Sequence, residues 1–82
     1  MSESSIKSAI ERVRGNTSYS SWTIGITDDP NRRRNEHGNP RHWHEWEAHS
    51  EQIARNVEAY FLDKGMKGGG GGGDHPNWVY IF

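Results

Sequence analysis

Cysteine is absent from the 82 residues, which removes disulfides, thiolate zinc fingers and thiol nucleophiles together. An excess of either charge is missing too: ten Lys and Arg stand against eleven Asp and Glu. An indiscriminate grip on nucleic acid needs a basic surface, so any such contact here must be local. No apolar run approaches the roughly 20 residues of a membrane span, and Met1 to Ser5 are polar. A soluble cytoplasmic protein without a membrane partner is the expectation. Aliphatic residues are scarce, since Leu, Ile, Val and Phe number 12 of 82 and mean hydropathy is −1.06. That falls below the roughly 20% expected of a folded chain. The high net charge of disordered segments is missing, however, at −1, while four Trp and three Tyr supply large contact areas. One small domain over residues 1–82, with an economical core, satisfies these constraints.

What is present falls into periodic segments. Ser4 or Ser5 can cap a helix over Ser5–Arg14, whose apolar positions Ile6, Ala9, Ile10 and Val13 follow helical spacing and whose end is marked by Gly15. From Ser21 to Thr27 the period becomes two, with Trp22, Ile24 and Ile26 on one face and Thr23, Gly25 and Thr27 on the other. Asp28, Asp29 and Pro30 then open a short helix, Pro30–His37, which carries Arg32, Arg33 and Arg34 and stops at Gly38. Arg41–Ala48 reads as a second strand with Trp43 and Trp46 on opposite faces, both of them covered in part or separated by a bulge. Ser50 caps the longest helix, Glu51–Lys64, with Ile53, Val57, Tyr60 and Phe61 as its buried stripe and Gly65 as its stop. Six consecutive glycines, Gly68–Gly73, read as a flexible loop; no Gly-Lys-Ser/Thr ending supports a phosphate cradle. The apolar segment Asn77–Phe82 requires pairing in a sheet, because left free it is an aggregation edge. The expected fold is α+β: a small three-stranded antiparallel sheet packed with three helices.

Thr23 to Thr27 (Thr-Ile-Gly-Ile-Thr), followed by Arg33 and His37, resembles the second motif of the GIY-YIG nuclease family. In that family an aromatic-aliphatic-glycine strand ends in threonine and enters a helix. That helix bears an arginine eight residues past the glycine and a histidine four further on. Ala54 and Glu58 match a pair common in the family's next helix, so the resemblance runs from Ser21 to Asp63. The family's second-motif tyrosine is Thr23 here, and no first-motif strand precedes it. Val79-Tyr80-Ile81 resembles that missing strand, and the N-terminal helix resembles the one that closes the family's domain. A circular permutation, with the glycine loop feeding in the last strand, restores the family order.

The resemblance implies that Glu58 holds a divalent metal, Mg²⁺ or Mn²⁺, that Arg33 stabilises a phosphate, and that Tyr80 helps activate water, with His37 in the same site. Physical chemistry points the same way. Arg33 and His37, four apart, share one helix face, and a guanidinium clamps a phosphodiester through parallel hydrogen bonds. Glu58 lies on the flank of its helix stripe, and one carboxylate with substrate oxygens and waters suits Mg²⁺. Gly25 and Thr27, together with Arg32, Arg34, Arg41 and Trp43, form the expected nucleic-acid-binding face. Blander alternatives stand beside each assignment: Arg32–Arg34 as a solvated face, Glu58 as a surface glutamate, Tyr80 as an edge-strand aromatic. His42 and His44 share a strand face at a spacing that can bind Zn²⁺ or Ni²⁺, but no third ligand is placed by spacing. The preferred reading is that with Arg41 they extend a basic patch flanked by Trp43, able to meet phosphates or stacked bases. Function therefore divides between a metal-dependent phosphodiester-cleaving domain, a catalytically silent nucleic-acid- or protein-binding descendant, and an unrelated protein-interaction module built on exposed Trp.

Overall fold

A computed structural model describes residues 1–70 and 73–82. Helix α1 spans Glu3–Arg14, strand β1 Thr23–Thr27, helix α2 Pro30–Glu36, strand β2 His44–Glu47, helix α3 Glu51–Lys64, strand β3 Lys67–Gly68 and strand β4 Trp78–Ile81. The four strands form one mixed sheet in the order β2-β4-β1-β3. β4 is antiparallel to both β1 and β2, whereas β3 runs parallel to β1 at the edge. The α+β class with three helices is as expected; the sheet is not the expected three antiparallel strands.

The fourth strand arises where a loop was expected. Gly65 takes the left-handed conformation at the end of α3 (φ 115°), and its N–H bonds to the carbonyls of Leu62 and Phe61. The buried Met66 then anchors the chain beside β1, where Lys67 N–H bonds to Trp22 O and Gly69 N–H to Ile24 O. Two residues of strand carry no periodicity, so the glycine run concealed them. Gly71 and Gly72, the middle of the expected flexible loop, lie outside the described residues.

Other boundaries move for local reasons. α1 begins earlier, because Ser2 rather than Ser4 or Ser5 is the N-cap, its hydroxyl accepting from Ser5 N–H at 3.2 Å. A 3₁₀ turn over Tyr19–Ser21 delays β1 to Thr23. α2 stops at Glu36 with His37 as its C-cap. The strand expected from Arg41 begins only at His44, since Asn39 is in the left-handed region (φ 52°) and the chain does not meet β4 before that point. α3 occupies the expected residues, capped by Ser50 Oγ on Ile53 N–H.

Strand alternation divides the sheet into two faces. On one, Ile24 pairs with Ile81 and Ile26 with Val79; all four are buried with Ile6, Ile10, Ala54, Val57 and Phe61 from α1 and α3. Burying each of the Ile, Val and Phe side chains contributes about 1.5–3 kcal/mol. Trp46 packs against this core from β2. On the opposite face Tyr80 stands between Gly25 and Glu45, and α2 lies over it. Tyr80 is fully buried, so this side of the small sheet is covered as well.

The Gly25–Tyr80 pairing decides that second face. A Cβ on Gly25 would stand 2.2 Å from the Tyr80 hydroxyl oxygen and 2.4 Å from the ring carbon that bears it. Gly25→Ala therefore forces the ring out or the strands apart, with an expected loss of about 1–3 kcal/mol or more in urea unfolding; an unchanged midpoint would mean that the ring does not lie over Gly25.

Candidate functional site

The Tyr80 hydroxyl gathers three distant segments. Arg33 Nε donates to it at 3.2 Å from α2, and His37 Nε2 lies 3.1 Å away at the end of the same helix. The spacing of four in sequence puts both side chains on one helical face, as expected. Arg33 uses its remaining nitrogens as well: Nη1 donates to Glu36 Oε1 at 2.9 Å and Nη2 to the Gly69 carbonyl. Gly69 sits under the same phenol, since a Cβ there would come within 2.5 Å of its oxygen.

Electrostatics fix the charge states of His37 and Tyr80. Burial, followed by the Arg33 charge, holds His37 below its ordinary range, and the Gly69 carbonyl opposes this in part. In the Nδ1–H tautomer of neutral His37 the phenol O–H donates to Nε2 while Arg33 N–H donates to the phenol oxygen; in the other tautomer Nε2–H donates to the phenol. Burial pushes Tyr80 up against the influence of Arg33, and the nearby charges of Glu58 and Glu36 push it further. Tyr80 is thus protonated at neutral pH, and in the Nδ1–H tautomer of His37 its proton has a neighbouring base.

Glu58 lies on α3 beside the buried Ala54 and Val57 and is half-buried. Burial raises its carboxyl above the ordinary range, and Arg55 offsets this only in part; Arg55 Nε is engaged by Glu51 at 2.7 Å. Among the described residues Glu58 makes no hydrogen bond or ion pair. A partly desolvated carboxylate without a partner is a suitable oxygen donor for Mg²⁺ completed by waters and phosphate oxygens. Glu58 makes no hydrogen bond to Tyr80, although its charge is felt there.

Trp43 covers the cluster. Its indole stacks on Tyr80 at 4.5 Å and 12° and on Phe82 at 5.5 Å and 16°, while Nε1 donates to Glu45 Oε1 at 2.9 Å. The His37 ring lies 4.8 Å from Phe82. Glu36, Gly69 and Phe82 were not singled out in the sequence. Only Glu36 left a signal, three residues from Arg33 on the same helix; the other two arrive by tertiary folding.

Not every expected residue faces a ligand. Gly25 and Thr27 are buried: Gly25 admits the Tyr80 ring, and Thr27 Oγ1 accepts from Asp29 N–H at 3.0 Å, shaping the entry to α2. Arg32 is held by Asp28 at 2.7 Å. Arg34 and Arg41 are exposed; Arg34 Nη2 approaches the Pro40 carbonyl at 3.4 Å, and Arg41 makes no ion pair among the described residues. His44 packs between Trp22 and Trp46, while His42 is exposed. No group of three metal-ligating side chains occurs among the described residues, and nothing adds a third ligand to His42 and His44.

No protein-family model matches the chain, and neither a curated protein nor a solved structure matches it.

Two outcomes follow from the charges. His37 is depressed in the fold relative to the unfolded chain, so the unfolded state binds the extra proton. Its contribution is present above the unfolded value near 6.5 and is lost as pH falls through the folded one. Thermal midpoints should decline on acidification through that range, and His37→Gln should flatten the decline. Glu58 has the opposite sign, its raised carboxyl disfavouring the charged fold. Glu58→Gln should therefore raise the midpoint at neutral pH; a lowered midpoint would mean that the carboxylate has a stabilising partner.

Proposed function

We propose that this domain binds nucleic-acid phosphodiesters at the face around Arg33 and cleaves them with a divalent metal, as a circularly permuted relative of the GIY-YIG nucleases. The observation that carries the reading is the antiparallel pairing of β4 with β1, which sets the Tyr80 phenol against Arg33 and His37 from positions 47 and 43 residues away. β4 also lies between β1 and β2, consistent with a first-motif strand supplied from the end of the chain. Glu58, an unpartnered oxygen donor in electrostatic reach of Tyr80, is the residue to hold Mg²⁺ or Mn²⁺. When bound, such an ion neutralises charge developing on the phosphate oxygens. Arg33 supplies a permanent cation for the phosphate, and with His37 in its Nδ1–H tautomer the Tyr80–His37 hydrogen bond gives the phenol a place to pass its proton when it takes one from water.

A second reading is a catalytically silent binder. It is favoured by the complete burial of Tyr80 beneath Trp43, which keeps the phenol from solvent, and by Thr23 in place of the second tyrosine.

Single- and double-stranded DNA and RNA, incubated with the protein and Mg²⁺ or Mn²⁺, separate the two. Cleavage is expected to fall by about a hundredfold or more in Arg33→Ala and in Glu58→Gln, with circular dichroism verifying that both variants fold. Salt-sensitive binding without cleavage, weakened by Arg33→Ala, replaces the first reading with the second. Neither binding nor cleavage overturns both and leaves a protein partner, for which capture with Trp43→Ala as control is the next step.

A further inference from the structure

An open cleft of about 340 Å³ lies at the end of the sheet where β1 begins and β4 finishes, lined by Thr17, Ser21, Trp22, His42 and Phe82. Its volume is at the lower end of the roughly 300–1,000 Å³ typical of small-molecule sites, and its walls are mainly apolar. Three features bear on what fills it.

First, the walls are aromatic and held in place. Phe82 is fixed by paired backbone bonds with Thr23, at 2.7 and 3.0 Å, and by its stack on Trp43. The Trp22 indole N–H is already satisfied by Thr17 Oγ1 at 2.7 Å, so this side chain, packed in part against the core, brings aromatic surface to the cleft wall without an unmet donor. Second, the cleft shares a wall residue with the proposed phosphodiester site. Phe82 belongs to both, through its contact with His37 and its stacked approach to Tyr80 at 6.1 Å. Third, His42 on the cleft wall is exposed and follows the exposed Arg41 directly in the chain. Flat aromatic walls, an arginine next in the chain to a wall residue and a neighbouring phosphate site match the chemistry of one class of occupant, a nucleobase on a phosphodiester strand.

We infer that this cleft is a stacking subsite for one unpaired nucleobase, with Trp22 and Phe82 as the apolar walls and His42 at the mouth, so that single-stranded nucleic acid is the preferred substrate. The inference rests on the phosphodiester reading and narrows it. A base in a duplex is already stacked and cannot enter without leaving the helix. Trp22 and His42 touch the base and not the phosphate at Arg33, so their loss weakens binding of the base alone.

The test compares a short fluorescein-labelled single strand, its duplex, and a strand of the same length with abasic residues, which keeps the phosphates and removes the bases. The base-bearing single strand is expected to bind roughly tenfold or more tightly than the abasic strand and to outcompete the duplex. Trp22→Leu, which retains apolar bulk but removes the π face, should lower binding of the base-bearing strand by about fivefold or more and leave the abasic strand unchanged. His42→Ala, at an exposed position that does not endanger folding, should act in the same direction to a smaller extent. Equal affinity for the base-bearing and abasic strands overturns the subsite while leaving the phosphodiester reading intact. Loss of both strands in His42→Ala overturns it too, by making His42 a phosphate contact. Failure of every strand to bind the wild-type protein overturns both proposals, and seating of a protein side chain in the cleft becomes the reading to pursue.

Discussion

A single hydroxyl organises the second face of this sheet. The Tyr80 oxygen receives Arg33 and faces His37, and the room it occupies exists only because Gly25 and Gly69 carry no side chain. A helix of seven residues is too short to be stable alone, so α2 depends on this anchorage and on its Asp29 cap. The chain leaving β3 depends on it as well, because Arg33 reaches the Gly69 carbonyl. Removing the phenol would therefore loosen α2 and its hold on Gly69 together, and any function on this face rests on the same bond network.

The charges near that hydroxyl are arranged at some cost to stability. Burial disfavours ionisation of Tyr80 and Glu58 and protonation of His37, while Arg33 remains a cation in a partly covered setting. A fold selected only for stability gains little from a half-buried carboxylate without a partner. Perturbed titratable groups in contact, as Tyr80 and His37 are at 3.1 Å, are a signature of functional sites and of ion-pair networks alike. The aromatic shell of Trp43 and Phe82 lowers the local dielectric and strengthens the hydrogen bonds beneath it. Through Phe82 the same shell reaches the wall of the neighbouring cleft.

Local signals were readable where one residue type does one job. Ser50, the apolar stripe and Gly65 delimit α3 at its observed ends, because caps and periodicity act within a few residues. Arg33 and His37 were legible as neighbours for the same reason, since helical spacing alone sets them side by side. The edge strand β3 was not legible: two residues offer no alternation, and a glycine run signals freedom rather than pairing. Trp43 was assigned to a strand by type, whereas its ring instead caps Tyr80, a choice made by stacking across 37 positions of sequence rather than by local propensity.

The amino-acid sequence by itself determined the helices, the N-caps of α2 and α3, the alternating faces of β1, and the need for the apolar C-terminal segment to be paired, because each follows from geometry within a turn or from the cost of exposed apolar surface. Only the tertiary structure decided that β4 enters between β1 and β2, that Gly25 serves a tyrosine ring, and that Glu58 lies within electrostatic reach of that ring. Those outcomes depend on register and side-chain volume between segments separated by tens of residues, and such contacts have no period that a linear pattern can display.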